Sequence, residues 1–161
     1  MYKMVETVSR ELYLLAKDRN LKIEVKEYPE NDEIYADEQE LRRVVINLMS
    51  NAISYADYGT TVCVSLFNNG DEFSMEVVNK SRYIPKENLT KLFDKYVSVS
   101  NKIKKVGTGL GLYSSRQIIS AHNGYMIAKS TENNFNMFGF VMPVSPEHQV
   151  NTNRPEIIKN H

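Results

Sequence analysis

Gly107-Thr108-Gly109-Leu110-Gly111-Leu112 runs directly into Tyr113-Ser114-Ser115-Arg116-Gln117-Ile118-Ile119-Ser120-Ala121-His122, and the pattern stops at Asn123-Gly124. Three glycines at alternate positions let a backbone turn tightly and leave its N–H groups uncovered by any Cβ. The residues that follow put Leu112, Ser115, Ile118, Ile119 and His122 on one helical face, and Asn-Gly ends the helix. A bare glycine loop opening a helix suits an anion, because unpaired N–H groups and the positive end of the helix dipole point the same way. Taken alone, the loop is a weak signal, and a plain connector is the alternative. It lacks the Gly-Lys-Ser/Thr of a Walker loop, and no apolar strand feeds into it as a dinucleotide fingerprint requires.

A second element upstream agrees with the anion reading. Asp37 offers an N-cap with Glu40 three residues later, a capping-box pattern. The helix it starts carries Leu41, Val44, Val45, Leu48, Ala52 and Tyr55 as an apolar stripe. Glu40, Asn47, Asn51 and Ser54 line one edge of that stripe. Asparagine is a mediocre helix former, so two of them four residues apart do little for the helix itself. Their amide oxygens can coordinate a hard cation and their amide hydrogens can bond phosphate or backbone; a solvated polar face is the plain alternative.

The remaining chain supplies strands and connectors. Residues 1–19 have near-helical apolar spacing, and Leu21, Ile23 and Val25 alternate with charged residues as a half-buried strand does. Ile34-Tyr35-Ala36 reads as a short strand. Residues 60–66 and 73–78 flank Asn68-Asn69-Gly70-Asp71, a hairpin signal, with Val62, Val64, Leu66, Phe73, Met75 and Val77 inward. Residues 79–85 form a connector and 86–93 a short helix. Residues 94–106 are lysine-rich and irregular, the composition of a mobile lid. A second hairpin spans 125–129 and 136–142, and the segment after Pro143 has no periodicity.

Balanced charge, 20 basic against 20 acidic residues, gives no net field for nucleic acid or a membrane surface. The one cysteine, Cys63, falls within a strand pattern as a small buried hydrophobe of a reducing compartment. No apolar run approaches the roughly 18 residues that span a bilayer. The expectation is a soluble, cytoplasmic domain, with a membrane-anchored parent left open.

The order of these parts resembles the ATP-binding catalytic domain of bacterial sensor histidine kinases, in the superfamily shared with the Hsp90 and gyrase ATPases. Asn47-Leu-Met-Ser-Asn51 looks like the N box, Leu92-Phe93-Asp94-Lys95-Tyr96 the F box, and Gly107 to Leu112 the G2 box. The resemblance implies an α+β, two-layer sandwich, the Bergerat fold, with a mixed, mostly antiparallel sheet of about five strands under three helices. It divides the chain into residues 1–19, the end of a dimerisation helix, residues 20–143, the ATP-binding domain, and residues 144–161, a tail. It further implies ATP and Mg²⁺ as ligands, with Asn51 on the metal. Asn47, Tyr55, Asn79, Ile84, Phe93, Lys102, Lys104, Lys105, Gly107, Thr108, Gly109, Leu110, Gly111 and Leu112 would surround the nucleotide. The implied partners are a dimerisation and histidine-phosphotransfer domain and a response regulator, and the isolated domain would be monomeric.

Three positions shape that expectation. Asn47 stands where related ATPases carry a glutamate that orients water, and an amide cannot act as a general base. Asn79, Ser81 and Tyr83 replace the usual Asp-x-Gly-x-Gly, so the adenine partner would be an uncharged acceptor and the pocket more crowded. Ser54 stands where the N box often has a basic residue. A non-catalytic nucleotide- or protein-binding module of the same fold and a serine kinase of the anti-sigma type are the alternatives. His122, His148 and His161 are the only histidines, and none sits beside glutamate on an early helix, so the acceptor would come from elsewhere.

Overall fold

The computed structural model describes residues 1–95 and 109–147. Five strands form one sheet in the order β1-β2-β3-β5-β4: β1 (Lys22–Glu27), β2 (Thr61–Asn68), β3 (Glu72–Lys80), β4 (Tyr125–Ser130) and β5 (Phe135–Pro143). Only β1 and β2 pair in parallel. The reason is their connection through α3 (Glu38–Tyr55), since a parallel return needs a crossover of a dozen or more residues. The other neighbours include two hairpins whose turns place Gly70 at φ 97° and Asn134 at φ 64°. These residue types tolerate the left-handed backbone.

Alternation along the strands sends one set of side chains beneath the helices. Val62, Val64, Leu66, Phe73, Met75, Val77, Phe138 and Phe140 are buried there against Leu41, Val44, Val45, Leu48 and Ala52 of α3 and Ile118 and Ile119 of α5 (Gly111–Ala121). Each such side chain contributes on the order of 1.5–3 kcal/mol by leaving water. The expected two-layer α+β architecture is the one observed.

Residues 1–19 form two helices, α1 (Tyr2–Glu11) and α2 (Tyr13–Asp18), where the spacing suggested one. Val5 and Val8 of α1 are fully buried in the domain core, and α2 turns Ala16 inward. The bend at Leu12 lets both apolar faces meet the same core. Ile34-Tyr35-Ala36, expected as a strand, is none: its backbone makes a single bond of this kind, Tyr35 N–H to Val144 O at 2.8 Å, too little for a ladder. Ile34 and Ala36 still pack on the core. Cys63, expected as buried, is only partly so, because Val62 and Val64 occupy the inward parity of β2 and leave it on the opposite face.

On that opposite face no helix of the described residues lies. Phe67, Tyr125, Ile127, Met137 and Val141, with Glu72, Glu76 and Lys129, line a depression of about 400 Å³. Burial pushes the Glu76 carboxyl above the ordinary range and Glu27 adds to the rise, while Lys129 opposes it. Gly139 lies opposite Glu76 in the register. A Cβ at that glycine would come 2.1 Å from the Met75 carbonyl oxygen, so no other residue fits.

Candidate nucleotide-binding site

Two hydrogen-bond junctions hold α3 against α5. At the start of α3, the Asp37 carboxylate accepts from the Glu40 N–H at 2.9 Å, as an N-cap does. The reciprocal half of the expected capping box is not made. Glu40 pairs with Arg43, and the Asp37 N–H donates instead to His122 Nε2 at 3.1 Å. His122 Nδ1 donates to Ile118 O at 2.8 Å, so the ring is a neutral Nδ1–H tautomer with both nitrogens engaged. His122 thus ties the end of α5 to the beginning of α3.

The second junction lies halfway along α3. Asn47 Nδ2 donates to Gly111 O at 3.1 Å and to Ser115 Oγ at 3.2 Å, and Ser115 Oγ itself donates to Gly111 O. The first turn of α5, with Gly109 at φ 69° just before it, is therefore pinned beside the asparagine edge of α3. No side chain caps this helix start. Among the described residues its first N–H groups and dipole end remain for an anion. Ser115 was expected on the inner face of this helix but not among the site residues; a hydroxyl in an otherwise largely apolar stripe was the available signal, and it is fully buried.

Asn51 lies one turn beyond Asn47, and its side chain has no hydrogen-bond partner among the described residues. Tyr55 follows, one-third exposed, with burial raising its phenol pKa. The edge from Asn47 to Tyr55 is about 12 Å long at the helical rise. At its far end, the Asp57 N–H bonds Lys80 O at 2.7 Å and brings the connector after β3 alongside.

The remaining expected residues divide by position. Asn79 is buried at the end of β3, its amide nitrogen donating to Ser81 Oγ at 3.1 Å. Ile84 is partly buried, and its N–H donates to Ser130 Oγ at 2.9 Å. Phe93 ends the 3₁₀ turn Thr90–Phe93 that follows α4 (Lys86–Leu89). It is a core residue, 2% exposed and packed edge-on against Phe138. Asp94 approaches Arg116 of α5 at 3.6 Å. Gly109, Leu110, Gly111 and Leu112 sit at the start of α5. Lys102, Lys104, Lys105, Gly107 and Thr108, together with most of the expected lid and the last 14 residues, lie outside the described residues.

An uncapped helix start pinned to an asparagine-edged helix above a mixed sheet defines a nucleotide-binding class, and the chain belongs to the histidine kinase-, DNA gyrase B-, and HSP90-like ATPase family, which matches residues 36–146. It is 34% identical over 130 residues to the adaptive-response sensory kinase SasA of Gloeothece citriformis, a match covering 80% of this chain and 33% of that protein. It is 32% identical over 102 residues to the circadian input-output histidine kinase CikA of Synechococcus elongatus, covering 62% of this chain and 14% of that protein. The chain thus spans about a third or less of these relatives. Among solved structures, it is similar to the nucleotide-free catalytic domain of histidine kinase ThkA, with a TM-score of 0.78, 26% identity and coverage of 91% and 94% of the two chains. The same kinase in complex with the response regulator protein TrrA aligns with a TM-score of 0.77 at 22% identity, covering 91% of this chain and 41% of that one. No described helix is long and apolar enough to cross a membrane.

Proposed function

We propose that this chain is the ATP-binding catalytic domain of a sensor histidine kinase, passing the γ-phosphate of ATP to a histidine on a separate dimerisation domain. The observation that carries this reading is the Asn47–Gly111 junction, which sets the start of α5 beside the amide edge of α3. Phosphates would lie on the N–H groups of residues 109–112, and the ribose and base would run along α3 past Tyr55 to the connector. Asn79, through its amide oxygen, is the acceptor for the base. Asn51 suits Mg²⁺: an amide oxygen is a hard ligand, no side chain of the described residues bonds this one, and Mg²⁺ commonly takes one or two protein oxygens beside phosphate and water. The ion would neutralise phosphate charge. Lys102, Lys104 and Lys105 would add to that from a lid, alongside Gly107 and Thr108.

Asn47 explains what the domain would not do. Its amide is committed as a donor to Gly111 and Ser115, so nothing at this position can take a proton from water. The acceptor must therefore bring its own nucleophile. An imidazole nitrogen attacks the γ-phosphorus, the N–P bond forms as the bond to the bridging oxygen breaks, and ADP leaves. Such a transfer rests on positioning and charge. In the parent protein, a dimerisation helix would lead into residues 1–19, whose Val5, Val8 and Ala16 pack in the domain core, residues 144–161 would be a tail, a response regulator would receive the phosphoryl group, and the location would be cytoplasmic.

Titration calorimetry with a non-hydrolysable ATP analogue tests binding, which is expected only to be strong with Mg²⁺. Labelled ATP with the parent's dimerisation domain is then expected to give an acid-labile, base-stable phosphoprotein. Acid-stable label would point to a serine acceptor, and no binding at all to a module that has lost its nucleotide.

A further inference from the structure

The inner face of the sheet is apolar until its last row. Val77, Phe138 and Ala128 stand side by side across β3, β5 and β4, and one step further the same three strands present Asn79, Asn136 and Ser130. All three are 2% exposed or less. Three neutral polar side chains cost free energy there unless each finds partners. Nothing in core packing calls for them, because the preceding row shows that apolar residues fit.

Their partners are in the connector. Asn136 Nδ2 donates to Ser81 Oγ at 2.6 Å and to Arg82 O at 3.0 Å. Ser130 Oγ donates to Asn136 Oδ1, which orients that amide, and accepts from the Ile84 N–H. The turn between β4 and β5 adds two more bonds: the Ser81 N–H to Asn134 O at 2.8 Å and the Tyr83 N–H to Asn134 Oδ1 at 3.2 Å. Three connector N–H groups, one carbonyl and one hydroxyl are thus held by Ser130, Asn134 and Asn136. Ser81 Oγ also accepts from Asn79, so the clamp reaches the side chain assigned to the base.

We propose that Asn136, oriented by Ser130, is a positioning residue for the nucleobase end of the site, a proposal that rests on the nucleotide-binding reading above. A connector without glycine is held in place here by side chains of a distant hairpin. Asn136 touches no ligand in this scheme. It fixes Ser81 and through it Asn79, so it controls recognition of the base and leaves the phosphate end at α5 untouched.

The test compares two probes on the same protein: Mg-ATP analogue, which engages both ends, and Mg-tripolyphosphate, which has no base. Asn136→Leu removes the amide that donates to Ser81 Oγ and Arg82 O and is expected to weaken the ATP analogue about tenfold or more while leaving tripolyphosphate affinity unchanged. Ser130→Ala, a smaller change that keeps the core intact if Asn136→Leu does not fold, is expected to act in the same direction. Ser130→Thr keeps the hydroxyl and is expected to bind as the parent does. Loss of both affinities together, or an unchanged affinity for the ATP analogue, would overturn the positioning role. A parent protein that binds neither probe would overturn the nucleotide reading itself.

Discussion

Asn47 donates to the carbonyl of Gly111 across 3.1 Å, joining the middle of one helix to the first residue of another. Asn51, one turn on, has no such partner among the described residues. Two asparagines of the same motif therefore have different work, and substitution separates them. Asn51→Ala is expected to leave thermal stability unchanged and to remove the Mg²⁺-dependent part of ATP affinity. Asn47→Ala is expected to cost about 1 kcal/mol of stability, the net worth of an ordinary hydrogen bond, and to weaken nucleotide binding with or without Mg²⁺. Calorimetry with and without the metal, beside denaturant melts, distinguishes the two. Equal behaviour of the variants would refute the division.

Gly109 holds φ 69°, a conformation that costs other residues roughly 1–2 kcal/mol. Gly109→Ala is expected to lose no more stability than that roughly 1–2 kcal/mol of strain, since the loop precedes α5 and is not core. Its effect is expected in phosphate affinity, read with ADP and tripolyphosphate. A variant with parental affinities would show that the loop amides are not the anion site.

His122 is an unsuitable phosphoacceptor because both ring nitrogens are engaged, Nδ1 with Ile118 O and Nε2 with the Asp37 N–H. No label is expected on it when the chain is incubated with labelled ATP. His122→Phe is expected to lose about 1 kcal/mol of stability by freeing the Asp37 donor. Recovery of a His122 phosphopeptide would contradict the assignment.

Glu76 gives the fold a pH dependence of definite sign. Its native pKa is raised, by burial first and Glu27 second. A carboxyl with a raised native pKa binds its proton more readily folded than unfolded, so the stability it contributes is present at low pH and lost as pH rises through the native value. Glu76→Gln is therefore expected to be more stable than the parent at neutral pH, with the difference shrinking as pH falls toward 4.5. Chemical denaturation at several pH values measures it. A difference that grew on acidification would reverse the assignment.

Gly139→Ala is expected to be far more damaging than a surface substitution, because its Cβ would meet the Met75 carbonyl at 2.1 Å. The loss should be at least the roughly 1–3 kcal/mol of an overpacked core. Urea denaturation reads it directly, and a parental midpoint would show that β3 and β5 can move apart.

Local regularities carried most of the architecture by sequence alone. The alternation of Val62, Val64 and Leu66, the turn at Asn69-Gly70, the cap at Asp37 and the stripe from Leu41 to Ala52 are all written within a few residues. Backbone geometry turns such spacing directly into faces. The Gly-x-Gly-x-Gly loop and the paired asparagines likewise announced an anion site before any packing was known. Tertiary structure decided what depends on residues far apart in the chain. Asn47 finds Gly111, the Asp37 N–H finds His122 where the Glu40 side chain was expected, and Asn79, Ser130 and Asn136 form one row. No local pattern encodes these pairings. They arise from strand register and helix packing, which are set by the whole core. The same cause made Ile34-Tyr35-Ala36 a docked segment without a ladder: its apolar residues pack on the core, but which strand, if any, a short segment pairs with is settled only by the assembled sheet.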